Sequence, residues 1–173
     1  MNEIINNIIT RRSCKCFKSD PLPDELIDQI VEAGLYAASA MGEQSPIILV
    51  AANKEDRDKL SELNAKYDPR HRPDPFYNAP VVLTVLAPKN NSTSICDGSL
   101  VIGNMMLAAH SLGIGSCWVH RAKEVFEDEE GKKILDKLGI TGDYEGIGNC
   151  VIGYAERIND AIIPRKDHRV YRM

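Results

Sequence analysis

Isoleucines at positions 4, 5, 8 and 9 recur at the spacing of one helical face, so a short amphipathic helix is predicted near the amino terminus. A second helix is predicted between Ser19 and Ser39. Pro23 suits its first turn, and Asp24 and Glu25 favour the positive end of its dipole. Leu26, Ile27, Ile30, Val31, Gly34 and Leu35 form its expected buried stripe. "PIILVAAN" has the apolar, β-branched character of a strand, and "KEDRDKLSELNAKY" that of a solvent-facing helix. The prolines of "DPRHRPDP" impose a loop, and "APVVLTVLAP" is expected to be a strand buried on both faces.

From Ser94 to Leu112 the chain is apolar almost all round, which places a long helix at the centre of the fold, with Gly113 suited to its end. "IGSCWVH" is then a strand, "EDEEGKKILDKLG" a short helix with acid at its start and base at its end, and "IGNCVIGYA" the last core strand. The remainder, from Arg157 to Met173, has no periodic face and is expected to be an extended tail. Helices and strands alternate without a regular βαβ series, which favours an α+β arrangement of a sheet packed by helices. No internal repeat or low-complexity segment interrupts the pattern. One domain over residues 1–173 is expected for this length.

Composition narrows the function classes. The chain is 43% hydrophobic and 27% charged, with a net charge of −4, which argues against a general nucleic-acid binder. Any anion site must therefore be a local cluster. The amino terminus has an early Glu3 and lacks the basic and apolar regions of an export signal, and the longest apolar stretch, Ser99–Ala109, is too short to span a bilayer. With five cysteines, an odd number, these features suggest reduced thiols and a cytoplasmic location, with no membrane partner.

The local cluster is "RRSCKCFKSD", Arg11 to Asp20. A zinc site needs paired Cys or His ligands, and a redox dithiol normally has two residues between its cysteines. Cys14 and Cys16 have one, while Cys96, Cys117 and Cys150 each stand alone. In an extended segment, Ser13 and Lys15 point one way and Cys14 and Cys16 the other. The cysteines are then expected to face the core. Arg11, Arg12, Ser13 and Lys15 remain to hold an anion, or simply to form a solvated basic turn.

Five stretches in order resemble the nitroreductase family of flavoproteins. They are the opening "RRS.K.F", the small-residue loop "AASAMGEQSPIILV", "FYNAPVVLTVLA", the central "DGSLVIGNMMLAAHSLGIGSCWVH" and the basic "PRKDHRVY" near the carboxyl terminus. The resemblance implies a nitroreductase-like α+β fold with a central, mostly antiparallel sheet. It also implies a homodimer with FMN at each end of the interface, and a tail (158–173) that reaches the partner subunit. Arg11, Arg12, Ser13 and Lys15 fall on the family's first FMN segment. Ala38, Ser39 and Ala40 fall on the loop beside the flavin ring, often supplied by the partner, and Gln44 matches that loop's glutamine. Trp118, Val119 and His120 match the backbone run that passes the ring, and Arg165 and Lys166 the late phosphate ligands.

The implied activity is ping-pong electron transfer. NAD(P)H passes a hydride to flavin N5, and a nitroaromatic, quinone or similar small acceptor then removes the electrons. No side chain is assigned as an essential acid or base. The sequence departs from the family at Gly42, where Asn is usual, at Ser45-Pro46, where Pro-Trp is usual, and at His120, where small relatives often have Gly. A specialised flavin reductase or reductive dehalogenase, or an FMN carrier or sensor with little turnover, are the alternatives.

Overall fold

Strand β2 (Val81–Pro88) is the spine of the molecule, and its first seven residues are all buried. β1 (Ile47–Ala51) pairs with one of its edges and β4 (Tyr144–Gly153) with the other. β3 (Gly115–Val119) lies outside β4, giving the order β1-β2-β4-β3 with every pairing antiparallel. The computed structural model describes residues 1–158 and 161–173.

The sheet separates two apolar layers because strand side chains alternate. Val81, Leu83 and Val85 enter one core with Ile27 and Ile30 of α2 (Asp24–Leu35) and Ile102 and Met105 of α4 (Ser94–Ser111). Val82 and Leu86 enter the other, with Leu60 and Leu63 of α3 (Lys54–Ala65), Val125 and Phe126 of α5 (Ala122–Glu127) and Leu135 of α6 (Glu129–Lys137). A bulge opposite Val85/Leu86 changes the parity of β4. Ile147 consequently joins the α4 layer together with Cys150 and Ile152.

Three expectations need correction. Leu35 is exposed, and the buried stripe of α2 ends at Gly34, which packs against Met105 of α4. Helix α3 is not solvent-facing throughout, since Arg57, Leu60, Ser61, Leu63 and Asn64 are buried beneath the following loop. Between β3 and α6 the chain forms an additional helix, α5, whose six residues are too few to show a period.

Helix α1 (Glu3–Thr10) buries no residue at all, and its four isoleucines are between 43% and 71% exposed. Its amphipathic face has no cover within the chain. The described tail residues, 161–173, are likewise exposed and without regular structure, while Asn159 and Asp160, part of the expected 158–173 tail, lie outside the described residues. No helix among the described residues is long and apolar enough to cross a membrane.

Candidate functional site

The basic segment leaves α1 and is fastened at the end of the sheet. Cys14 N–H donates to Ser116 O at 2.9 Å, Lys18 N–H to Tyr154 O at 2.9 Å, and Glu156 N–H to Cys16 O at 3.0 Å. The contact with β3 is so close that a Cβ on Gly115 would lie 2.9 Å from Cys14 Cβ. Cys14 is fully buried while Ser13 and Lys15 are exposed, so the alternation holds across these three residues. It fails at Cys16, which is half-buried. Its thiol donates to Glu156 Oε2 at 3.1 Å instead of packing in the core. Phe17, fastened to Ala155, takes the core position.

The thiols are poor candidates for chemistry. Burial raises Cys14 and Cys117, and pushes Cys150 up to about 12. The hydrogen bond to Glu156 raises Cys16. Such groups are protonated and weakly nucleophilic near neutrality. Among the described residues no group of three or more His, Cys, Asp or Glu could hold a metal ion.

Two clefts open on the basic segment, and Ser13 and Lys15 line both. The first, of about 750 Å³, gathers Arg11, Arg12, Arg157 and Arg165, with no carboxylate among the described residues that line it. Arg12 is pinned by backbone carbonyls. Its Nη1 donates to Ile9 O at 2.8 Å and Arg11 O at 2.7 Å, and its Nε to Ala161 O at 3.2 Å. Arg11 Nη1 and Arg12 Nη2 are nevertheless buried without a hydrogen-bond partner among the described residues. Orphaned guanidinium N–H groups are costly unless an acceptor arrives, and several converging ones suit the oxygens of a phosphate. The same charges act on His110 behind them, whose pKa is lowered by burial and then by Arg11 and Arg12. Thr10 Oγ1 gives its proton to Asn6 O, so His110 Nε2 donates to Thr10 at 2.9 Å.

The second cleft, of about 330 Å³, lies between the end of β3 and the loop 68–77. Trp118, Val119 and His120 form one wall. His120 is exposed, 6.0 Å from the Trp118 ring, and Arg121 turns the chain away with a left-handed φ of 84°. The opposite wall was not anticipated from sequence. Asn64 Nδ2 donates to His120 O at 3.0 Å, which orients its Oδ1 as an acceptor, buried and without a partner among the described residues. On the α4 side of the sheet, the indole Nε1 of Trp118 is also buried without a hydrogen-bond partner among the described residues. Arg72 Nε donates to Asp68 Oδ2 at 2.7 Å, and its Nη1 to the Tyr77 hydroxyl at 2.6 Å. The Arg72 guanidinium holds the Asp68 carboxyl well below the usual carboxylate range, and Asp68 in turn raises Arg72. The signal available in the sequence was the pair of arginines inside a proline-rich loop that follows an asparagine on an inward helix face.

Ala38, Ser39 and Gln44 line neither basic cleft. They form a small recess with Asp97 and Val101 at the other end of α4. Ala40 N–H donates to Asp97 Oδ1 at 3.1 Å, and Gln44 N–H to Ser39 Oγ at 3.0 Å, which fixes this loop. Arg165 reaches the first cleft, whereas Lys166 lines only a groove within the tail. The structure thus brings Arg11, Arg12, Ser13, Lys15, Trp118, Val119, His120 and Arg165 around two adjoining clefts, and leaves Ala38, Ser39, Ala40, Gln44 and Lys166 apart from them.

The chain as a whole matches known proteins. The Nitroreductase family model matches residues 8–67 and 64–154. A protein of Archaeoglobus fulgidus that carries the name NADH dehydrogenase/NAD(P)H nitroreductase is 31% identical over 98% of both chains. One of the same name from Methanothermobacter thermautotrophicus is 31% identical over 67% of this chain, which spans 60% of that relative's length. A nitroreductase from Bacteroides fragilis, solved with bound FMN, superposes over the whole of both chains with a TM-score of 0.87 and 26% identity. The chain belongs to the nitroreductase family.

Proposed function

We propose that this protein is an FMN-dependent NAD(P)H oxidoreductase that passes electrons in two separate half-reactions to a small-molecule acceptor. The observation that carries the proposal is the pair of guanidinium nitrogens, Arg11 Nη1 and Arg12 Nη2, buried without a hydrogen-bond partner among the described residues, in a cleft that gathers four arginines. A bound dianionic phosphate gives those N–H groups their missing acceptor. The FMN in the Bacteroides fragilis structure agrees with that ligand, and the relatives' names agree with an NAD(P)H donor.

The residues present divide the cofactor between the clefts. Arg11, Arg12 and Arg165 take the phosphate, with Ser13 adding a hydroxyl donor. Lys15, on the wall common to both clefts, supplies a cation where the phosphate region gives way to the ring region. In the second cleft Asn64 Oδ1 offers an acceptor to a ligand N–H, and Trp118, Val119 and His120 provide the wall against which a flat ring can lie. When bound, FMN supplies the hydride chemistry, and the protein supplies position and electrostatics. Lys15 favours whichever state of the ligand carries negative charge, and the buried guanidinium groups hold the phosphate without protonation changes.

The site is completed in a homodimer. The bare isoleucine face of α1, the exposed Leu35, Tyr36 and Met41, and the exposed tail all lack a cover within one chain. A second copy covers them, and presents Ala38, Ser39, Ala40 and Gln44 of its own loop to the flavin ring. The acceptor is a quinone, nitroaromatic or similar small molecule, admitted past His120.

Steady-state oxidation of NAD(P)H with a quinone tests the proposal. Turnover that requires FMN supports it, and a flavin that is reduced once without turnover identifies a carrier.

A further inference from the structure

The second cleft holds more positive charge than a flavin ring needs. Lys15, Arg70, Arg72 and Arg121 line it in a chain whose net charge is −4; Arg72 pairs with Asp68 and Arg121 with Glu124 at 2.5 Å, which leaves Lys15 and Arg70 without a carboxylate partner among the described residues. An oxidised isoalloxazine is neutral, and one cation suffices for its reduced form.

The loop that carries the excess is built and rigid. Asp68 is only 4% exposed and receives backbone N–H groups from Arg70 at 3.3 Å and Arg72 at 3.1 Å, besides the Arg72 side chain at Nε and Nη2. His71 sits between them with a left-handed φ of 51°, held by its N–H to Asp68 O at 2.9 Å. At its far end the loop is anchored by Asp74. This side chain accepts from Arg57 Nη2 at 2.5 Å, Ser61 Oγ at 2.7 Å and the backbone of Phe76 and Asn78. The Asp68 carboxylate is thus consumed by Arg72 and the backbone, and does not neutralise Arg70. No ion pair of Arg70 occurs among the described residues, and its side chain stands exposed on the cleft. Arg72 keeps a second N–H on each terminal nitrogen beyond those used on Asp68 and Tyr77.

We propose that this loop is a recognition site for an anionic group, phosphate or carboxylate class, on the molecule that exchanges electrons at the second cleft, with Arg70 as its contact and Asp68–Arg72 as the brace. The proposal rests on the flavin reading for the chemistry at the cleft, but its recognition step is a binding event that can be measured alone. The anion comes either from the nucleotide donor or from the acceptor.

The test compares wild type with Arg70→Ala and Arg70→Lys. Equilibrium binding of NADP⁺ and NAD⁺, which differ by one phosphate, is measured by calorimetry. Apparent KM is measured for 1,4-naphthoquinone and its 2-sulfonate, each at low and high salt. A charged hydrogen bond at such a site is worth about tenfold or more in affinity. Arg70→Ala is expected to weaken one anionic member of these pairs about tenfold, leave the less charged member within about twofold, and recover in part with lysine. A selective loss for NADP⁺ assigns the anion to the donor, and one for the sulfonate assigns it to the acceptor. Equal affinities for all four probes in wild type and Arg70→Ala overturn the proposal. FMN-dependent turnover that persists beside that null result leaves the flavin reading intact. Absence of FMN binding together with an Arg70-dependent NADP⁺ affinity removes the flavin reading instead.

Discussion

The two basic clefts share Ser13 and Lys15 but balance their arginines in opposite ways. In the first, Arg12 is held by backbone carbonyls, and among the described residues buried N–H groups of Arg11 and Arg12 are left over. In the second, Arg72 is closed onto a buried carboxylate and a phenol. A paired arginine contributes to the fold, while an unpaired buried one imposes a cost on the fold that a ligand repays. The same side chain therefore serves stability in one cleft and affinity in the other, and substitutions should separate the two.

The largest effect is expected at Asp68. Its removal strands the Arg72 guanidinium and two backbone donors, so Asp68→Ala should cost about 2–4 kcal/mol of folding stability by denaturant titration. Its pKa is lowered in the fold, so its contribution is present above the unfolded carboxylate value of about 4 and is lost as the pH falls through the folded value. Asp68→Asn should flatten the stability profile on that acid side. An unchanged acid limb would place the sensitivity on other carboxylates.

At Arg11 the outcome reverses. Arg11→Ala should weaken FMN binding by about 1.5–3 kcal/mol and leave the flavin-free protein as stable as wild type or more so. Loss of stability without loss of affinity would erase the contrast between the clefts.

Lys15, which belongs to both, should show the intermediate behaviour. A cation about 4 Å from a developing negative charge, partly solvated, contributes about 1–3 kcal/mol to the reduced state. Lys15→Met should therefore lower the two-electron midpoint potential by about 20–65 mV, with a smaller change in FMN affinity than Arg11→Ala. Spectroelectrochemical titration reads both. Equal potentials would turn Lys15 toward the phosphate alone.

The smallest effect is expected at His120. It lies at the rim, so His120→Gly should chiefly raise the rate for bulky quinones relative to small ones. Unchanged relative rates mean that the ring points away from the path of the acceptor.

The parts of the fold that were legible in the sequence are those in which one chain satisfies its own pattern. β2 and β4 are apolar runs that the two layers bury, so their type and position follow directly; α4 was legible as a long helix, but it lays one face on the sheet and leaves Ile95 and Leu100 exposed instead of standing at the centre of the fold. Helix α1 was legible as a helix but not as an exposed one, because its isoleucines describe a face and not what covers it. Leu35 failed for a related reason: the period continues to the end of α2, but nothing within the chain covers its last apolar position. Within the candidate site, Arg11 and Ser13 were singled out from the basic cluster and Trp118 through the motif resemblance, and all three line the clefts. Asn64 and Arg72 were missed because what matters in them is a buried unsatisfied oxygen and a pairing across a strained loop, and neither has a periodic signature. Ala38, Ser39 and Gln44 were identified from the same motifs, but their distance from the basic clefts within one chain is visible only in the fold.

FMN titration into flavin-free protein, followed through the quenching of Trp118, the chain's only tryptophan, tests the central claim most directly. The account expects saturation at one FMN per chain, competition by inorganic phosphate, and strong weakening in Arg11→Ala. Fluorescence that does not respond to FMN, or an affinity indifferent to both phosphate and Arg11, would contradict it.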